Sequence, residues 1–183
     1  MHKKLQLQFD KIERQRVQII ESLDNIAPAI LDTAPAPGKW TVLQNIQHLI
    51  LIEQASISYI QKKLHYRSNI PKANWKTAIR SWSINWVLDI PLKIKSPKAF
   101  SNFPDQLNFQ QVLKEWEETR IALRQLLEDF PEDLLNSGIY KHALLGKLRM
   151  IDALVFIYEH TKRHFKQIQR TLKEIDLMEN VST

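Results

Sequence analysis

The stretch MIDALVFIYEHTKRHFKQIQRTLKEIDL, residues 150–177, predicts one long amphipathic helix. Apolar residues and histidines recur every three or four positions and form a continuous stripe. The stripe comprises Ala153, Ile157, His160, His164, Ile168, Thr171 and Ile175. Charged residues such as Lys162, Lys166 and Arg170 occupy the opposite face. A helix with a single apolar stripe has to bury it against other elements, so the stretch predicts a packed helix and not an isolated one.

Three other segments have the same helical period, over residues 5–30, 41–67 and 108–130. Four amphipathic helices of this length predict an all-α fold, a four-helix bundle. The stretch 68–107 is less regular, which predicts that one pair of neighbouring helices is joined by a long crossover connection. We expect a single domain over residues 1–183.

The ends of the helices are also marked in the sequence. Thr41 and Gln44 have the spacing of a capping box at the start of the second helix. Asn108 is placed to cap the third helix. Residues 139–145 are expected to form a short connector, and residues 178–183 should fray.

The composition excludes several classes of protein. The chain has only 3 Gly and 8 Pro among 183 residues, too few turn formers for an all-β fold. It has no Cys, which excludes disulfides, thiolate metal sites and a cysteine nucleophile. No apolar run resembles a signal peptide or reaches the ~18 residues of a membrane span. We therefore expect a soluble, cytoplasmic protein that does not enter a membrane.

The net charge of +6 is partly concentrated in one segment. Residues 62–98 carry nine basic residues against one acid, together with Trp75, Trp82 and Trp86. Basic residues interleaved with aromatic ones can bind single-stranded nucleic acid. The alternative is a basic connecting segment whose tryptophans pack onto the bundle. We favour the alternative, because no nucleic-acid-binding motif accompanies the charge.

Two histidines of the last helix occupy positions where the pattern calls for Leu or Ile. A buried imidazole without partners costs about 1–3 kcal/mol for each unsatisfied polar atom, so His160 and His164 need a reason to be there. They lie one turn apart on one face, a spacing that can chelate a single cation. Thr161 follows His160, so the pair is not the H-E-x-x-H motif of metalloproteases.

His48 is the best candidate for a third ligand, because it lies on the apolar stripe of the second helix. That stripe comprises Thr41, Asn45, His48, Ile52, Ala55 and Tyr59. A lone histidine on such a face is more often a core residue with a satisfied hydrogen bond than a ligand. Three inward-facing histidines on two helices favour a shared divalent metal ion. His2 and His65 lie near helix ends, and His142, in the connector, is a weaker candidate for lining the site.

Two stretches resemble one family. Residues 37–49, PGKWTVLQNIQHL, resemble the P-x-K-W-S-V-x-x-x-x-x-H-L segment of the DinB/YfiT-like superfamily. Residues 140–148 and 160–168 (HTKRHFKQI) resemble its ending, H-P-x-x-G-x-L followed by H-x-x-R-H-x-x-Q-I. The chain departs from this pattern at Ala143, where the family often has Pro, and at Arg149, where it usually has Ser or Thr.

The resemblance implies a four-helix bundle with a divalent metal ion, usually zinc or nickel, held by three histidines. Carried over to this chain, these are His48, His160 and His164, the set that the periodicity also selects. Members of the family include S-transferases that use bacillithiol or similar small thiols, a mycothiol-dependent isomerase and proteins described as metal-dependent hydrolases. The resemblance thus implies a small-molecule substrate, with a low-molecular-weight thiol as one candidate. We expect a homodimer by analogy.

The leading hypothesis is therefore a metal-dependent enzyme that transfers a small thiol or hydrolyses a small substrate. The alternative is a metal-binding stress or interaction protein without turnover. It is favoured by the lack of an identified general base. The nearest acid on the second helix is Glu53, which lies about 140° around the helix from His48.

Overall fold

The computed structural model describes residues 1–66, 70, 100–104, 106–142 and 146–181. Its helices are α1 (Lys3–Glu21), α2 (Pro28–Leu31), α3 (Val42–His65), α4 (Phe109–Glu128) and α5 (Met150–Val181). Residues Glu132–Leu134 form a 3₁₀ turn, and two short strands, β1 (Tyr140–His142) and β2 (Gly146–Leu148), precede α5. The four long helices confirm the predicted all-α bundle. Among the described helices, none combines the length and apolar character that a membrane span requires.

The predicted caps are present in the structure. The Thr41 hydroxyl accepts a hydrogen bond from the Gln44 backbone at 3.0 Å, and the Gln44 side chain accepts one from the Thr41 backbone at 3.1 Å. The Asn108 side chain accepts a hydrogen bond from the backbone of Gln111 at 3.0 Å. Each of these bonds satisfies a backbone N–H that a helix start leaves without a partner.

The prediction of one continuous first helix to Ile30 is wrong. Helix α1 ends at Glu21, and a separate short helix begins at Pro28. Proline has no N–H to donate within a helix, so it is disfavoured in the interior and preferred at the first helical position. Leu23 is fully buried and Ile26 packs against a hydrophobic cluster, which explains why the apolar pattern continues although the helix does not.

The connector before the last helix is a β-ribbon, which the periodicity did not reveal. Strands β1 and β2 pair antiparallel, with Tyr140 opposite Leu148 and His142 opposite Gly146. Gly146 has a φ of 73°, a conformation that residues with a side chain rarely adopt. The last helix continues to Val181, beyond the predicted end at Leu177.

The four long helices form a ring in which α1 packs on α4 and α5, and α3 packs on α4 and α5. Contacts along the helices give their directions. Arg16 of α1 pairs with Glu117 of α4, and Arg124 of α4 lies over Phe9 of α1, so these two helices are antiparallel.

Helices α3 and α4 are parallel neighbours. The Gln47 amide donates to Glu115 at 2.9 Å, and one and a half to two turns further along α3 the Gln54 amide donates to Thr119 at 3.2 Å. Parallel neighbours cannot be joined by a tight turn. The connection between α3 and α4 is therefore a crossover, as the irregular stretch 68–107 predicts.

The buried side chains form two hydrophobic clusters along the bundle. On each long helix, inward-facing residues that lie between the two clusters are polar. These buried polar residues include Arg16 on α1, Glu53 on α3, Arg120 on α4 and His164 on α5. The bundle thus has a polar layer between two apolar clusters, and this layer contributes His164 to the candidate site.

Candidate metal centre

Three histidines from two helices meet between α3 and α5. His48 comes from α3, and His160 and His164 come from successive turns of α5. Their ring centroids lie 5.3 Å (His48–His160), 4.8 Å (His48–His164) and 4.7 Å (His160–His164) apart. One nitrogen of each ring lies within 4.8 Å of the other two. Within the described residues, no further His, Asp or Glu joins this group.

Hydrogen bonds fix the orientation of two of the rings. Nδ1 of His48 lies 2.7 Å from the backbone oxygen of Phe100, and Nδ1 of His164 lies 3.0 Å from Oδ1 of Asn45. The Asn45 amide nitrogen donates to the Thr41 carbonyl at 2.8 Å, so its oxygen faces the imidazole. An oxygen of either kind only accepts, so both Nδ1 atoms carry the proton. Nε2 of each ring keeps its lone pair, as in histidines that bind metal ions.

Burial keeps all three imidazoles neutral near pH 7. It lowers the pKa of His160 to about 3, with smaller contributions from His48 and Arg163. Burial and the neighbouring His160 hold the pKa of His164 well below its usual value. Burial also lowers the pKa of His48, although the hydrogen bond to Phe100 opposes the change. Neutral imidazole is the protonation state that a metal ion needs.

The donor set fits a divalent cation. It consists of three neutral imidazoles, of which His48 and His164 present Nε2 lone pairs fixed by hydrogen bonds on the far side of the ring. Imidazole suits zinc, nickel and related transition metals, whereas magnesium and calcium prefer oxygen ligands. The structure therefore brings together the three residues that the sequence analysis selects, and metal binding by them stays a prediction.

Aromatic side chains contact the histidine group on one side. The Trp40 ring lies 5.1 Å from that of His48 and 6.3 Å from that of His164, stacked on the latter at 18°. Phe103 meets Trp40 edge-on, at 5.2 Å and 88°. Trp40 directly precedes Thr41, the N-cap of α3, so the capped first turn places the Trp40 backbone at the start of that helix.

His142 lies near the group but is not a member of it. The ring of Phe156 stacks on His160 at 5.3 Å and contacts His142 at 4.4 Å, so it is shared by both histidines. Burial lowers the pKa of His142. His142 therefore borders the histidine group through Phe156, as expected for the weaker candidate.

Glu53, the nearest acid on α3, is held elsewhere. Its Oε1 accepts a hydrogen bond from Nη2 of Arg120 at 2.9 Å, and each side chain is only 2% exposed. Burial raises the pKa of Glu53, and the positive charge of Arg120 opposes this rise. The ion pair ties the carboxylate to α4 and leaves it outside the histidine group.

Two residues that orient the ligands were not predicted as site residues. The sequence contains a clue to Asn45, since it is a polar residue on the apolar stripe of α3. In the structure this side chain is fully buried. Phe100 contributes a backbone carbonyl, which no side-chain pattern can reveal. Trp75, Trp82 and Trp86, expected to pack onto the bundle, lie outside the described residues, as does most of the basic segment 62–98.

The fold and the histidine group together define the class: an all-α bundle with a candidate metal site between its helices. The comparison of sequences gives the family. The chain belongs to the DinB superfamily, whose sequence model matches residues 11–168. No curated protein sequence gives a significant match.

Solved structures share the fold. YfiT from Bacillus subtilis, described as "a probable metal-dependent hydrolase with an unusual four-helix bundle topology", is 19% identical with a TM-score of 0.61. The match covers 96% of this chain and 90% of YfiT. A conserved protein from Enterococcus faecalis is 18% identical, with a TM-score of 0.61 over 95% of this chain and 98% of that protein. TT2238, described as a four-helix bundle protein, is 17% identical, with a TM-score of 0.57 over 91% and 98%.

Proposed function

We propose that the protein is a metal-dependent enzyme that acts on a small substrate through His48, His160 and His164. The observation that carries the proposal is the convergence of three neutral imidazoles with no fourth His, Asp or Glu beside them in the described part of the chain. Catalytic zinc sites use three protein ligands and keep one position open, whereas structural sites are closed by a fourth. We propose zinc or nickel as the metal.

The reaction is hydrolysis or transfer of a small thiol, and both use the same residues. A divalent cation held by these histidines would act as a Lewis acid and would lower the pKa of a bound water or thiol. The chain contributes rigid, neutral ligands: His48 is held by Phe100 and His164 by Asn45. A sulfur nucleophile has to come from a cosubstrate, because the chain has no Cys. The likeness to YfiT favours hydrolysis, and the resemblance to thiol-dependent members of the family favours transfer.

The second candidate is a metal-binding protein without turnover. One observation favours it: the acid nearest to His48 along α3, Glu53, is paired with Arg120, so this carboxylate is not available as a general base. In the described residues, the histidine group has no carboxylate of its own.

The test compares the metal-loaded protein with His160→Ala in two assays. The first mixes the protein with a small thiol and a haloaromatic electrophile, and the second offers activated esters and amides without thiol. His65→Ala is the matched control, since His65 is exposed at the end of α3 and lies outside the histidine group. We expect turnover that requires the metal, disappears in His160→Ala and persists in His65→Ala.

The outcome also distinguishes the candidates. Turnover that depends on the thiol supports transfer, and turnover of esters or amides alone supports hydrolysis. Stoichiometric metal binding without turnover in either assay would leave the binding protein.

A further inference from the structure

The side chain of Trp40 is not accounted for by the core. Two hydrophobic clusters contain most of the buried apolar residues and those packed against them, and within the described chain neither cluster includes Trp40 or Phe103. Both side chains are partly exposed. The ring neighbours of Trp40 are instead His48, His164 and Phe103. A large, partly exposed aromatic ring in contact with two candidate metal ligands points to a role at the site.

Phe156 differs from Trp40 in its surroundings. Phe156 also stacks on a histidine of the group, His160, but it is 5% exposed and belongs to a hydrophobic cluster. Its place is therefore explained by packing. Trp40 contacts the other two histidines, is partly exposed, and among the described residues belongs to neither cluster.

The geometry of Trp40 and Phe103 suits a flat ligand. The two rings meet at 88°, so they form a corner with one wall given by an indole ring and the other by a phenyl ring. A planar aromatic group can stack on one wall and meet the other edge-on, the two arrangements that aromatic pairs prefer. A puckered aliphatic ring of the same size can pack against either wall but lacks the ring quadrupole that favours these two arrangements.

We propose that Trp40 is a specificity-determining residue that stacks on an aromatic group of the substrate while the substrate's reactive end occupies the histidine site. This inference rests on the proposed function and names the class of substrate: a small molecule with a planar aromatic group near its reactive end. Phe103 is the second wall of the same corner.

The test measures binding and needs no turnover. The protein is loaded with Co²⁺, whose absorption spectrum reports a ligand entering the metal's open position. Two hydroxamates serve as probes, phenylacetohydroxamate and cyclohexylacetohydroxamate, which share the chelating group and differ in the aromatic ring. The measured quantity is the ratio of their dissociation constants, cyclohexyl over phenyl, in wild type, Trp40→Leu and Trp40→Phe.

We expect Trp40→Leu to lower this ratio about two- to tenfold, the size of an aromatic pair interaction beyond simple burial. Trp40→Phe should retain most of the wild-type ratio, because it keeps an aromatic face. Tyr66→Leu is the matched control, since it removes an exposed aromatic residue at the end of α3 and should leave the ratio unchanged.

Equal weakening of both probes in Trp40→Leu would overturn the inference and make Trp40 a general apolar wall. Loss of Co²⁺ binding in both Trp40 variants would also overturn it and make Trp40 a scaffold for the ligands. If wild type binds Co²⁺ but neither probe changes its spectrum, the metal site is closed, and the proposed enzymatic function fails together with this inference.

Discussion

Asn45 accepts a hydrogen bond from Nδ1 of His164 across 3.0 Å, and the same amide donates to the Thr41 carbonyl at 2.8 Å. The first turn of α3 thus determines which nitrogen of a histidine on α5 is free. Asn45 is completely buried, so bulk solvent does not compete for this hydrogen bond in the folded protein. The link between helix cap and ligand is therefore a point at which the site can be tested without changing any ligand.

Replacing Asn45 with Ala should weaken zinc binding about 10- to 100-fold, the usual effect of removing a group that orients a ligand. The Nδ1 hydrogen of His164 would then lack an acceptor. Competitive titration against a zinc chelator measures the change, with circular dichroism to verify folding. Asn108→Ala is the matched control, because it removes a helix-capping Asn at the start of α4. Equal zinc affinities of the two variants would contradict the role given to Asn45.

Replacing His48, His160 or His164 with Ala should lower the amount of bound metal more than Asn45→Ala does, because each change removes a ligand. Elemental analysis of protein purified without a histidine tag measures the metal content. His65→Ala should bind as much metal as wild type. If a variant lacking all three histidines keeps its metal, the site lies elsewhere in the chain.

Acid should destabilise the metal-free protein through these histidines. His160 has a pKa of about 3 in the fold and an ordinary value of 6.5 in the unfolded chain. Between these pH values the unfolded state binds more protons, so the free energy of unfolding falls as the pH is lowered. The contribution is complete above pH 6.5 and is lost progressively as the pH falls towards 3.

Urea unfolding of the metal-free protein at several pH values checks this expectation. His160→Leu should show a flatter dependence on pH, since the variant lacks one of the groups whose pKa is depressed by folding. His65→Leu should keep the wild-type dependence. Parallel curves for wild type and His160→Leu over this range would rule out the proposed coupling.

Glu53 and Arg120 should be tolerated in the core only when both are present, because each neutralises the other's buried charge. Arg120→Met leaves a carboxylate buried without its partner and should cost about 3–5 kcal/mol. The double variant Glu53→Leu/Arg120→Met should recover most of this loss and bind metal normally. Lys114→Met is the control, because Lys114 pairs with Glu118 at 3.9 Å on the surface, where such pairs contribute about 0–1 kcal/mol. Loss of metal from a folded double variant would place Glu53 in the site after all.

The sequence predicts those parts of the fold that depend on local pattern. The helical period gives the four long helices, and the side chains of Thr41 and Asn108 mark two of their starts. The first helix is misjudged because Leu23 and Ile26 pack against the core from the segment after α1, so burial continues where helical geometry does not. The ribbon at Tyr140–His142 is too short for a period to be recognised.

The same distinction applies to the site. His48, His160 and His164 could be selected because polar residues interrupt apolar stripes, and burial makes such interruptions costly. The acceptor for His48 is the backbone oxygen of Phe100, which every residue type offers, so only the structure identifies it. The partner of Glu53 likewise lies on another helix, and no spacing within α3 indicates Arg120.

The distance along the chain between the histidines of α3 and those of α5 has a consequence for folding. Two helices that are far apart in sequence must meet before all three histidines are in place. The conformational entropy of closing that long loop is therefore lost before a metal ion can bind to all three. A metal ion that binds only after this meeting stabilises the native state and not the folding transition state. It should therefore slow unfolding and leave the folding rate nearly unchanged. Metal loading would then set the lifetime of the folded protein against proteolysis and heat, a kinetic form of protection.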